Sequence, residues 1–167
     1  MWSDKGNIAI EIMSIFKKIV LILLIVFIAI QFIQPIRNKG VQVLPTNISK
    51  AVSVPGYVQK ILQAACYDCH SNNTNYPWYT YVQPVGWLLN NHIINGKKEL
   101  NFSEFGSYAT RRQQSKLKSI ADQIKDNEMP LHSYKLMHKS ARLSKEEKSI
   151  IINWTQKASD SLDKINP

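Results

Sequence analysis

Hydrophobic residues follow two patterns in this chain: one continuous run near its start, then apolar positions spaced for helices. Ile19 to Ile30 is an unbroken apolar stretch of twelve residues, preceded by Lys17 and Lys18 and extended by Phe32 and Ile33. At ~1.5 Å per residue, Ile19 to Ile33 reaches only ~22 Å, short of a ~30 Å hydrocarbon core; with Ile15 and Phe16 included and the lysines snorkelling, it can cross. A transmembrane anchor is therefore expected over residues 15–36, behind a weakly polar extension over 1–14, in which Met13 would make a tidier start than Met1. A cleaved secretory signal is the weaker alternative, because Ala29-Ile30-Gln31 is a poor cleavage site and nothing after it is better.

Between Gln34 and Gly56 the chain carries Pro35, Gly40, Pro45 and Pro55 without a sustained period. That pattern predicts a linker over 37–56, with Val41 and Val43 hinting at a short extended piece. A helix starts after Pro55-Gly56: Val58, Ile61, Leu62 and Ala65 fall at i, i+3, i+4 and i+7, placing Cys69 on the same stripe and Cys66 beside it. Ser71 to Asn75 breaks it, and Tyr76-Pro77-Trp78-Tyr79-Thr80-Tyr81 follows. Pro84 can open and Gly96 close a second helix, whose apolar face holds Val85, Leu88, Leu89, His92 and Ile93. After an aromatic plug at Phe102 and Phe105, a third helix runs from about Ala109 to Asp126 with Leu117, Ile120, Ala121 and Ile124 on one face. The fourth opens on the capping box Ser144-Lys145-Glu146-Glu147 and puts Glu147, Ile150, Ile151, Trp154 and Ala158 on one face, before a frayed tail over 161–167. The fold expected is all-α: a four-helix domain over 57–160 behind a single N-terminal transmembrane helix.

The chemistry concentrates in Cys66-Tyr67-Asp68-Cys69-His70, a C-x-x-C-H string that holds both cysteines of the chain. Two thiols so spaced on a helical turn can each bond one vinyl group of a porphyrin, with the following histidine ligating the iron from below. The motif thus points to one covalent haem c, with Cys66 and Cys69 as thioethers and His70 as an axial ligand. A thioredoxin-like dithiol would want a βαβ pattern, which is missing here. Half a zinc site would want a second pair of ligands, and no second C-x-x-C exists. Trp78 and Tyr79 are candidates to wall a flat apolar cofactor, and Trp154 should cross near its edge. For the opposite side of the iron, Met129 precedes Pro130, which pushes it to extended geometry and lets it offer a soft, neutral thioether. His92, on an apolar stripe, is the alternative ligand. His132, Met137 and His138 look more like surface or neighbouring groups.

The formal charge of +9 changes the picture only slightly. From Gly40 onward, 16 Lys and Arg face 10 Asp and Glu, leaving +6 spread over helices. Such a balance suits an acidic redox protein or a lipid surface, whereas a nucleic-acid partner is not expected without a stacking platform or recognition motif. Arg37 and Lys39 partly offset Lys17 and Lys18, so charge leaves the orientation open. Covalent haem attachment takes place outside the cytoplasm, which puts the domain on the periplasmic side of the inner membrane.

Six strings in order, C-Y-D-C-H-S-N, Y-P-W-Y, Asn91-His92, Leu100 to Ser103, Met129-Pro130 and L-S-K-E-E with Trp154, resemble the bacterial haem-binding domain family over about residues 15–158. Members look like cytochromes c tethered by one N-terminal membrane helix. The resemblance implies covalent haem at Cys66 and Cys69, His70 as axial ligand and an extracytoplasmic location in a Gram-negative cell. Both Met129-Pro130 and His92 belong to its pattern, so it leaves the sixth ligand open. The function expected is that of a membrane-anchored c-type cytochrome transferring single electrons between redox protein partners. A haem enzyme or gas sensor with a displaceable sixth ligand, and a haem-bearing structural subunit of a respiratory complex, are the alternatives. No Ser-His-Asp set, phosphate loop or paired carboxylates suggest a separate active site.

Overall fold

The computed structural model describes residues 3–40 and 43–165; Val41 of the expected extended piece lies outside them. Among the described residues the chain is helical, without strands, as the apolar spacing predicts. It divides into two units: one comprises the stretch up to Ile36 together with Tyr76–Asn90, the other Arg37–Asn75 together with Asn91 onward.

The first unit contains α1 (Ser3–Ile30). Its stretch Met13–Ile30 is long and apolar enough to cross a membrane, and none of it is buried within the protein. A 3₁₀ turn, Trp78–Tyr81, follows in the chain order of this unit, and then the first part of α5 (Val85–Glu99).

The second unit carries the large core. Residues 37–56 are not a free tether: α2 (Ile48–Ala51) is capped by the Asn47 side chain, and Ile48 is fully buried among core residues. The Ile48 amide donates to the Phe102 carbonyl at 2.8 Å and the Gly106 amide to the Thr46 carbonyl at 2.7 Å. Proline and glycine here shape a docked loop, which periodicity cannot distinguish from a free one.

α3 (Gly56–Ala65) buries Val58, Ile61, Leu62 and Ala65, the four positions its spacing predicts. Burial of the three larger side chains is worth about 1.5–3 kcal/mol each. The helix stops at Cys66, and α4 (Tyr67–His70) forms a separate turn. α5 differs from expectation at both ends of its argument. It runs through Gly96 to Glu99, and its predicted apolar stripe is buried only at Ile93; Leu89 and His92 are half-buried, while Val85 and Leu88 are exposed.

α6 (Thr110–Lys125) and α8 (Lys145–Ile165) pair antiparallel, with Gln114 donating to Asp163 at one end and Lys148 to Asn127 at the other. The short α7 (His132–Met137) lies between them in sequence. The capping box of α8 forms as expected: the Ser144 amide donates to Glu147 Oε2 at 2.8 Å, and the Glu147 amide to Ser144 Oγ at 3.1 Å. Residues 161–165 continue the helix instead of fraying, and Leu162 is buried in the core; the last two residues of the expected tail lie outside the described residues.

Candidate functional site

Local structure first sets the attachment turn. Cys66 has φ −127°, which ends α3, and its carbonyl accepts from the Cys69 and His70 amides at 3.2 and 3.0 Å. The turn is then held from outside. The Phe102 amide donates to the His70 carbonyl at 2.7 Å, the Asn72 amide to Ser103 Oγ at 3.0 Å, and Asn101 Nδ2 to Asn72 Oδ1 at 2.9 Å. Phe102 itself is buried and packs on Tyr67, ring centroids 5.1 Å apart, and edge-on to His70 at 6.3 Å.

His70 is oriented by two main-chain acceptors. Its Nδ1 lies 3.0 Å from the Gly96 carbonyl and 3.1 Å from the Leu100 carbonyl, so Nδ1 carries the proton and Nε2 keeps the lone pair. Burial pushes the imidazole's pKa below its usual range, outweighing the two carbonyl hydrogen bonds that favour the charged form. The ring is therefore neutral with a free Nε2 near neutral pH. That is the state a metal needs.

Gly96 earns its identity here. A Cβ on it would stand 2.7 Å from the Cys69 carbonyl oxygen, so glycine lets α5 approach the attachment turn closely enough for its own carbonyl to reach His70. Its expected role as a helix stop is corrected on that ground.

Two contiguous cavities open beside the turn. The larger, about 310 Å³, is walled by Cys66, His70, Phe102, Ile120, Ile124, Met129 and Leu143 among others; the smaller, about 190 Å³, adds Cys69, His92 and Tyr134 to Cys66, His70 and Met129. Met129 and His70 line both. The fold thus brings Cys66, Cys69, His70, Met129 and His92 together from residues 66 to 129. Met129 reaches the cavity because Asn127, at φ 62°, reverses the chain after α6, with the Glu128 and Met129 amides returning to the Gln123 carbonyl.

Trp78 and Tyr79 belong to the first unit, where Trp78 is 79% exposed. Trp154 is buried in the core, its indole donating to the Ser53 carbonyl at 2.9 Å, and lines a different cavity with Tyr57 and Lys157. His132 and Met137 are exposed, and His138 stacks on Tyr134 with centroids 3.9 Å apart.

Asp68 carries no signal in the apolar pattern and was not singled out from the sequence. One of its oxygens accepts from the Asn75 amide at 3.0 Å, the other from the Tyr134 hydroxyl at 2.6 Å, tying the turn to a cavity wall.

The environment of the two thiols raises their pKa values. Burial pushes Cys66 up to about 12, with neighbouring Cys69 adding to it, and burial and then Asp68 push Cys69 up to about 11. Redox-active C-x-x-C thiols are shifted the opposite way. Among the described residues no set of three or more His, Cys, Asp or Glu side chains could close a metal site around them. A half-buried, neutral thiol pair, a neutral imidazole with an available Nε2 and largely apolar walls fit a haem, which would be held through Cys66, Cys69 and His70.

A family model for a haem-binding domain matches residues 25–157. No curated protein and no solved structure matches the chain.

Proposed function

Since the chain belongs to the haem-binding domain family, we propose that it is a membrane-anchored c-type cytochrome that carries one covalent haem on the periplasmic side of the inner membrane and passes single electrons between redox proteins. The observation that carries this reading is the shared cavity: both thiols, the oriented His70 and both candidates for a second iron ligand line it. Cys66 and Cys69 would hold the porphyrin as thioethers, each thiol adding across one vinyl group so that sulfur bonds one carbon and the thiol hydrogen the other, with no net change in electrons. His70 would present Nε2 to the iron while its Nδ1–H donates to the Gly96 and Leu100 carbonyls. Met129 would offer a neutral thioether, a ligand type that favours the reduced metal and raises its potential. Leu143, Ile120 and Ile124 keep water from the centre. The bound haem supplies the one-electron redox chemistry.

A pyridine-haemochrome assay on protein matured in the periplasm tests the proposal. One haem per chain, with the spectrum of a doubly thioether-linked porphyrin, is expected; a colourless yet folded protein would overturn it, and Cys66→Ser with Cys69→Ser should abolish covalent pigment on a denaturing gel. Met129→Ala is expected to lower the midpoint potential and turn the ferric iron high-spin. If that variant's spectrum is unchanged while His92→Ala loses the low-spin signal, the ligand is His92.

A further inference from the structure

The first unit is built around a polar clasp at the end of its long apolar helix. Gln83 is fully buried, and each of its four polar groups is used. Its amide donates to Gln31 Oε1 at 2.8 Å and its carbonyl accepts from Gln31 Nε2 at 3.2 Å; its side-chain Nε2 donates to Gln34 Oε1 at 3.0 Å and its Oε1 accepts from the Trp87 amide at 3.0 Å. Gln34 Nε2 also reaches the Tyr81 carbonyl at 3.1 Å, and the Trp87 indole donates to the Ile33 carbonyl at 2.8 Å. Gly86 makes the fold of this segment possible, since a Cβ there would collide with the Thr80 carbonyl oxygen.

What the clasp presents outward is apolar. Trp78 is 79% exposed, Tyr81 49%, Val82 37%, Val85 42% and Leu88 52%, beside Phe32 at 85% on the helix's own extension. Soluble surfaces rarely gather so many large apolar side chains. Depth explains them. Met13–Ile30 would span ~27 Å of a ~30 Å hydrocarbon core, which brings Gln31 and Gln34 to the level where headgroups begin, and every group hydrogen-bonded to them to the same level. Tryptophan and tyrosine concentrate at that level, apolar body in the acyl boundary and polar edge toward water. A fully satisfied amide network is also what backbone near hydrocarbon requires.

We propose that residues 76–88 form a second membrane contact, lying in the phospholipid interface with Trp78, Tyr81, Val82, Val85 and Leu88 embedded in it. The proposal rests on α1 as a membrane anchor and is independent of the haem. It also gives the exposed half of α5 an occupant.

The test uses the full holo-chain, reduced so that low-spin iron is diamagnetic, labelled with 5-fluorotryptophan and reconstituted in phosphatidylcholine nanodiscs; Trp78→Phe assigns the ¹⁹F resonance. Loss of the Trp78 signal with a nitroxide at carbon 5 of the lipid chains, and its persistence with a water-soluble nitroxide, is expected. A signal lost to the soluble agent alone, or shielded from both agents by another protein surface, overturns the contact. Retention of the chain in carbonate-washed membranes shows, in either of those cases, that the anchor itself stands. Release by carbonate overturns anchor and contact together.

Discussion

Gly96 and Asp68 make different demands on the attachment turn, one of space and one of hydrogen bonding. A methyl group at Gly96 meets the Cys69 carbonyl at 2.7 Å, and that atom is main chain, so the helix must move. Gly96→Ala is expected to lose about 1–3 kcal/mol in urea denaturation and to bind less haem, because His70 loses the reach of an acceptor. Asp68→Ala removes an acceptor from the Asn75 amide and another from the Tyr134 hydroxyl and should cost about 1.5–3 kcal/mol by the same measurement, whereas Asp68→Asn keeps one acceptor and should lose less. Neither role was legible in the chain: a glycine at the twelfth position of a periodic helix reads as a stop, and a lone aspartate between two cysteines has no period at all. The cysteines and His70 were legible because their chemistry is written in adjacent positions.

At the scale of elements, local signals were reliable where the sequence neighbours supply the bonding partners. The Ser144 capping box formed with both predicted hydrogen bonds, and Ser144→Ala is expected to lose about 1 kcal/mol of stability on thermal or chemical unfolding. Helix lengths depended on distant partners instead. α8 continues past Ala158 because Leu162, four residues on, extends the buried stripe and Asp163 meets Gln114 of α6. Leu162→Ala should therefore cost about 2–5 kcal/mol in urea denaturation, the range for a core leucine; a loss of a few tenths would return these residues to a loose tail. α2 makes the same point, since Ile48 is buried by Phe102-bearing loop structure that no sequence window contains.

For the whole molecule, removal of residues 1–30 is expected to abolish carbonate-resistant association with membranes, read by fractionation and immunoblot. The all-helical class, the apolar α1 and the C-x-x-C-H turn followed from the sequence alone, because each depends on spacing within one or two turns or on an unbroken run. Only the tertiary structure decided which histidine tautomer is held, that Met129 and His92 share a cavity with the cysteines, and that half of α5 keeps its apolar face exposed. Those outcomes depend on which surfaces meet across long stretches of chain, and periodicity shows that a face is apolar without showing what covers it.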